Sequence, residues 1–231
     1  MLLSIFQINF KIKKMKKALL ILISIIFIQS CGQTKTTKTA IKTLDPCAKT
    51  ETFEVTKAFC KSIDKAEVHF TVEIPECLDF KPAIIGKKNH SYAKAEKYDK
   101  NKVLKQVISF GHINTSDKGE KLEKSSIGFL NQIKNMLEGA GYIFEESELL
   151  MKKFDGKIYP IFQGIGELKG NPNLEYQGRS WIKAVIVPNP YGDTNIMLYM
   201  MAKDDQNISH YKDFADRLDI SKIWKTFKYL K

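Results

Sequence analysis

Hydrophobic and polar positions follow two periods along this chain, and the switches between them mark its elements. Residues 67–75, Glu-Val-His-Phe-Thr-Val-Glu-Ile-Pro, alternate strictly, which puts Val68, Phe70, Val72 and Ile74 on one face of a half-buried strand. The stretch 87–102 is polar and lysine-rich and is expected to be a loop or ragged helix, whereas 103–113 is apolar enough for a central strand. In 121–140, Leu122, Phe129, Leu130, Ile133, Leu137 and Ala140 recur at three- and four-residue steps. That spacing predicts a helix, which Gly139 or Gly141 can end. Residues 142–149 return to extended structure, and Asp155-Gly156, flanked by 151–154 and 157–162, is a hairpin signal. A second strand pair, 181–187 and 196–202, is joined by Pro188-Asn189-Pro190-Tyr191-Gly192-Asp193. A closing helix over 211–229, with a break near Asp219, would pack Phe214, Leu218, Ile223 and Phe227. The order predicts an α+β fold, an antiparallel sheet with a long central helix and a C-terminal helix packed on it.

Ahead of these elements, Met15-Lys16-Lys17 introduces an apolar run, 18–28, too short to span a bilayer. Small Ser30 then precedes Cys31. The segment Ile28-Gln29-Ser30-Cys31 resembles a bacterial lipobox, with Gln29 standing where Ala or Ser is usual. The resemblance implies that diacylglycerol alkylates the Cys31 thiol, that the chain is cut before Cys31, and that the new amine takes a fatty acid such as palmitate. Several chains, at about 0.8 kcal/mol per buried CH₂, give lasting attachment where one is marginal. Met15 is a sufficient start. Gly32, rather than Asp, implies the outer membrane, with the domain facing the periplasm. The expected organisation is a signal peptide over 1–30, an anchor and threonine-rich flexible tether over 31–45, and one α+β domain over 46–231.

Charge changes meaning once it is divided along the chain. The net +11 includes five lysines and no acid in 1–30, and three lysines against Asp45 in 31–45. Only +4 is left on the remainder, with both signs interspersed. A nucleic-acid groove needs a dense basic face, so no nucleic-acid partner is expected.

The candidate chemistry is sparse. Cys47, Cys60 and Cys77 allow one bridge in an exported compartment. Cys60–Cys77 is preferred because both border the first strand, and three buried thiols are the alternative. His69, His90, His112 and His210 have no ligand spacing, and His112, in an apolar strand, reads as a satisfied core residue. Gly164-Ile165-Gly166-Glu167-Leu168-Lys169-Gly170 is off a dinucleotide fingerprint by one position and reads as a strand end and turn. Tyr176, Trp181, Tyr191 and Tyr199 are either core or the makings of a ligand surface. No catalytic set, metal or cofactor is expected.

The order of elements resembles the PsbP-like fold, which also includes a Ran-binding nuclear-transport factor. The likeness rests on Phe70-Thr71-Val72-Glu73-Ile74-Pro75, on the helix ending Gly139-Ala140-Gly141-Tyr142, on the Asp155-Gly156 hairpin and on the final helix. Cys77-Leu78 replaces the family's aromatic after the Pro75 turn. The resemblance implies a binding or assembly role. The expectation is therefore a membrane-anchored envelope lipoprotein whose domain binds a protein or small ligand without catalysis. The alternative is a hydrolase-like envelope enzyme with a site assembled from distant segments, for instance around His112 or His210.

Overall fold

The computed structural model describes residues 47–87, 91–154, 156–169 and 176–231. The proposed leader, Cys31, the tether and His90 lie outside them. Chain order is β1 (Thr50–Val55), α1 (Lys57–Ser62), β2 (Phe70–Pro75), β3 (Asp79–Pro82), β4 (Ala93–Tyr98), β5 (Leu104–Asn114) and α2 (Glu120–Gly139). It continues through β6 (Tyr142–Phe154), β7 (Lys157–Leu168), β8 (Gly178–Val187), β9 (Thr194–Lys203), α3 (Asp213–Asp216), α4 (Ser221–Thr226) and β10 (Lys228–Tyr229). The fold is mixed α+β. Among the described residues, seven strands form one sheet in the order β3-β4-β5-β9-β8-β7-β6, and β1-β2-β10 form a second. Every pairing is antiparallel.

The large sheet buries both faces, as the apolar runs in β5, β8 and β9 require. On one face, Ile108 and Phe110 of β5, Val185 of β8, and Leu198 and Met200 of β9 pack with the small sheet's Phe70 and Val72 and with Phe214 and Ile223 near the C-terminus. On the other, Phe162, Ile182, Ala184 and Ile186 meet Leu130 of α2. Phe70 is fully buried, stacked on Phe110 with centroids 5.7 Å apart and edge-on to Tyr92 at 6.0 Å. Burial of such a ring stabilises by about 3 kcal/mol.

Helix α2 follows its periodicity, but only Leu122, Ser126 and Leu130 are buried. Gly119 begins it at φ 54 without a side-chain cap, and Glu120 and Glu123 oppose the positive end of its dipole instead. The second strand pair and its Pro188–Asp193 connection form as expected. So does the hairpin, where Phe154 sits opposite Lys157 and Gly156 takes φ 74. Gly164 and Gly166, expected near a strand end, lie within β7 opposite an irregularity between Phe144 and Glu146. A Cβ on Gly164 would sit 3.0 Å from both the Phe144 ring and Glu146 O, so the close approach requires glycine.

Two predicted elements take another form. The 87–102 segment contains β4, a strand whose charges are neutralised rather than solvated. The buried Glu96 carboxylate accepts hydrogen bonds from Lys81 Nζ (2.7 Å) and Lys94 Nζ (2.6 Å), while Ala93 and Ala95 face the core. The closing helix is two short helices followed by a strand. The break sits at Asp219, and the last turn becomes extended because β10 pairs with β2, Tyr229 opposite Phe70. Strand β1 and helix α1 add to what periodicity predicts, since β1 carries polar residues on both faces.

Candidate functional site

The disulfide joins Cys47 to Cys77, not Cys60 to Cys77. The reason is the register of β1 on β2: Thr50 lies opposite Pro75, so the residues just before β1 and just after β2 meet at one end. Cys60 lies in α1, fully buried, with Sγ 3.5 Å from Val68 O. Burial pushes its thiol pKa up, which makes it an inert core group. Asp219, at the break between α3 and α4, places Oδ1 3.1 Å from Cys47 Sγ. A bridged sulfur carries no proton, so this contact is not a hydrogen bond. The other oxygen, Oδ2, accepts from Gln106 Nε2 at 3.0 Å and pairs with Lys97. Among the described residues, Cys47, Cys77 and Asp219 are the group whose ligand atoms lie within 4.8 Å of one another. With its sulfurs bonded to each other and Lys97 on its carboxylate, this set does not fit a metal ion.

The second cluster was missed from sequence. Gln163 of β7 and Lys183 of β8 are directly paired neighbours, and both are buried on the sheet face that packs against the small sheet. Lys183 Nζ donates to Tyr211 O at 3.2 Å, and Tyr211 donates its hydroxyl to Glu146 Oε1 at 3.0 Å while its ring meets Trp181 edge-on at 5.0 Å. Gln163 Nε2 bonds Glu148, and the buried Gln163 Oε1 has no hydrogen-bond partner. Burial, helped by repulsion from Lys152, lowers the Lys183 pKa to about 8. Burial and the neighbouring Glu146 push the Tyr211 hydroxyl up. The signal in the sequence was a lone lysine inside the apolar run Trp181-Ile182-Lys183-Ala184-Val185. Beside this cluster, Arg179 clasps Glu145 through Nε at 2.9 Å and Asp204 through Nη1 at 2.5 Å, and Trp181 Nε1 donates to Asp204 at 2.9 Å.

The remaining candidates are dispersed. His69 bonds Glu54 Oε1 at 2.7 Å and Lys231 O at 3.1 Å, and both contacts raise its pKa. His112 packs 5.5 Å from the Tyr92 ring, and burial lowers its pKa. His210 is exposed beside Asp213, its Nδ1 3.3 Å from Oδ1. Tyr176 and Tyr199 pack under α2's face of the sheet, Trp181 lies on the opposite face, and Tyr191 is exposed, so the four aromatics form no common surface. Near the start of α2, a cleft of about 430 Å³ is lined by Glu120, Glu123, Lys124, Ile127 and Met151. No described helix is long and apolar enough to cross a membrane.

The chain matches no family profile and no curated protein sequence. Among solved structures it is similar to cyanobacterial PsbP (CyanoP) from Synechocystis sp. PCC 6803, at 12% identity and a TM-score of 0.49, covering 87% of this chain and 99% of that one. It is also similar to the Ran-binding protein Mog1p of Saccharomyces cerevisiae, at 11% identity and a TM-score of 0.41, covering 78% and 96%. These are distant likenesses, and what those proteins bind is not transferred by them.

Proposed function

We propose that this chain is a lipid-anchored envelope protein whose domain is a non-enzymatic binding or assembly module. The observation that carries this reading is the sequence Ile28-Gln29-Ser30-Cys31 behind a basic, then apolar, leader. The Cys47–Cys77 bridge supports it, because disulfides persist in oxidising compartments. The module half is supported by how buried charges are engaged: Lys203 Nζ caps Tyr176 O and Gln177 O at 2.9 and 2.6 Å, and Glu96 holds two lysines. Mass spectrometry of the mature N-terminus tests the anchor. A triacylated Cys31 peptide is expected, and an uncut, unmodified Cys31 recovered from membranes overturns it. Crosslinking followed by affinity purification should return a partner in fixed stoichiometry.

A second reading, a hydrolase-like envelope enzyme, is favoured by one observation. Lys183, with its lowered pKa, lies beside the unpartnered Gln163 Oε1 and under Tyr211. It requires that Lys183→Met abolish turnover of an ester or amide substrate by the folded protein. Unchanged turnover in that variant removes this assignment.

A further inference from the structure

One turn carries large aliphatic residues where turn chemistry calls for none. Ile84-Ile85-Gly86-Lys87 closes with Lys87 N–H donating to Ile84 O at 3.2 Å, and Gly86 takes φ 75. Turns of this kind are usually built from Gly, Pro, Asn, Asp and Ser. Here Ile84 and Ile85 are 54% and 68% exposed. Isolated exposed apolar residues need no explanation, but an adjacent pair beside a cationic recess does. The recess is a cavity of about 610 Å³ lined by Lys61, Asp64, Lys65, Gly86 and Lys87, with Ser62 and Ile63 behind them. Its far wall is the end of α1. Asp64 adopts φ 54, so that Lys65 N–H reaches back to Cys60 O at 2.9 Å and the chain turns sharply between Lys61 and Lys65. Three lysines and one aspartate thus line one recess.

We propose that this turn and recess form a second, reversible contact with the bilayer: Ile84 and Ile85 enter the acyl boundary while Lys61, Lys65 and Lys87 hold phosphates of anionic headgroups. Aliphatic tips with lysine stems around them suit the boundary between acyl chains and headgroups, where the stems lie along apolar surface and the charges stay wet. The proposal rests on the lipid-anchor reading. The tether makes it reachable: residues 32–46, fully extended at roughly 3.3 Å each, span about 50 Å. Strand β1, which separates Cys47 from α1, is six residues, about 20 Å, long. The domain can therefore lie down on the surface that holds its lipid.

The test uses the full lipidated chain with an environment-sensitive dye on Ile85→Cys and, as a control, on Met136→Cys of α2. Cys60 is fully buried and stays unlabelled in the folded protein. Excess phosphatidylcholine vesicles, with and without phosphatidylglycerol, are added. A blue shift and a several-fold rise in emission are expected at position 85 with phosphatidylglycerol only. The change should be absent at 136 and lost in a Lys61→Glu, Lys65→Glu, Lys87→Glu variant. No change at 85, or an equal change at 136, overturns the docking surface. Failure of the chain to float with pure phosphatidylcholine vesicles overturns the anchor instead. The two failures are separable, because anionic vesicles still report at position 85 on a chain without lipid.

Discussion

The two faces of the seven-stranded sheet are covered in opposite ways. One is roofed by α2, a single continuous segment that buries few of its own residues. The other is roofed by β1, β2 and β10 with α1, α3 and α4, drawn from both ends of the domain and closed by the Cys47–Cys77 bridge. The small-sheet face holds the larger aromatic cluster, in which Phe70 contacts Tyr92, Phe110 and Phe227. The helical face is simple in sequence and modest in burial. The composite face is the reverse.

The largest expected effect lies on the composite face. Phe70→Ala should destabilise by about 4 kcal/mol in urea denaturation and Leu130→Ala, on the helical face, by about 3 kcal/mol. A greater loss at Leu130 would invert the comparison. Next comes the bridge, which spans a sequence separation of 30. Replacing both Cys47 and Cys77 by Ser should cost about 3.5 kcal/mol through the entropy returned to the unfolded chain. Equal stability of oxidised wild type and the double variant would show that β1 is held without it.

The third prediction concerns Lys183, whose pKa falls from 10.5 to about 8 on folding because burial disfavours the ammonium. Below pH 8 the group is charged in both states, and folding bears the whole burial cost. Between pH 8 and 10.5 the folded state loses its proton first and the cost is relieved. Lys183→Met should therefore raise stability near pH 7 by up to about 3 kcal/mol, the gain fading by about pH 10.5. A gap between variant and wild type that does not narrow with pH would refute the assignment. The smallest effect is at His69, whose raised pKa comes first from Glu54 and then from Lys231 O. Its stabilisation is complete below its ordinary pKa of 6.5 and is lost as pH rises through the folded value. His69→Asn should flatten that slope in melting temperature against pH, and an unchanged slope would place the titration elsewhere.

Legibility in the sequence follows the same division. Helix α2 announces itself because it buries a face through its own local period, and strand β5 and the β8–β9 pair because each is an apolar run buried on both faces. Strand β4 does not, since Lys94 and Glu96 disguise a strand in which charge is paired rather than solvated. Strand β1 carries polar residues on both faces, and β10 is two residues long, so their places depend on β2. The bridge was misassigned for that reason: without β1, nothing places Cys47 beside Cys77. Gln163 and Lys183 meet only through the pairing of β7 with β8, and no spacing along the chain encodes it.

Tyr229 gives this arrangement a kinetic meaning. Its hydroxyl donates to Val187 O at 2.6 Å and accepts from Ile196 N–H at 2.7 Å, clasping the two strands of the β8–β9 hairpin where the connecting loop leaves them. Its backbone completes the small sheet opposite Phe70. A contact joining such remote positions forms late, because closing long loops has an entropic cost before any contact rewards it. Folding should therefore end with a slow step at β10, observable as late hydrogen-exchange protection of Ile196 relative to Ile182. For a chain exported as we propose, that delay keeps the polypeptide threadable until almost all of it has crossed.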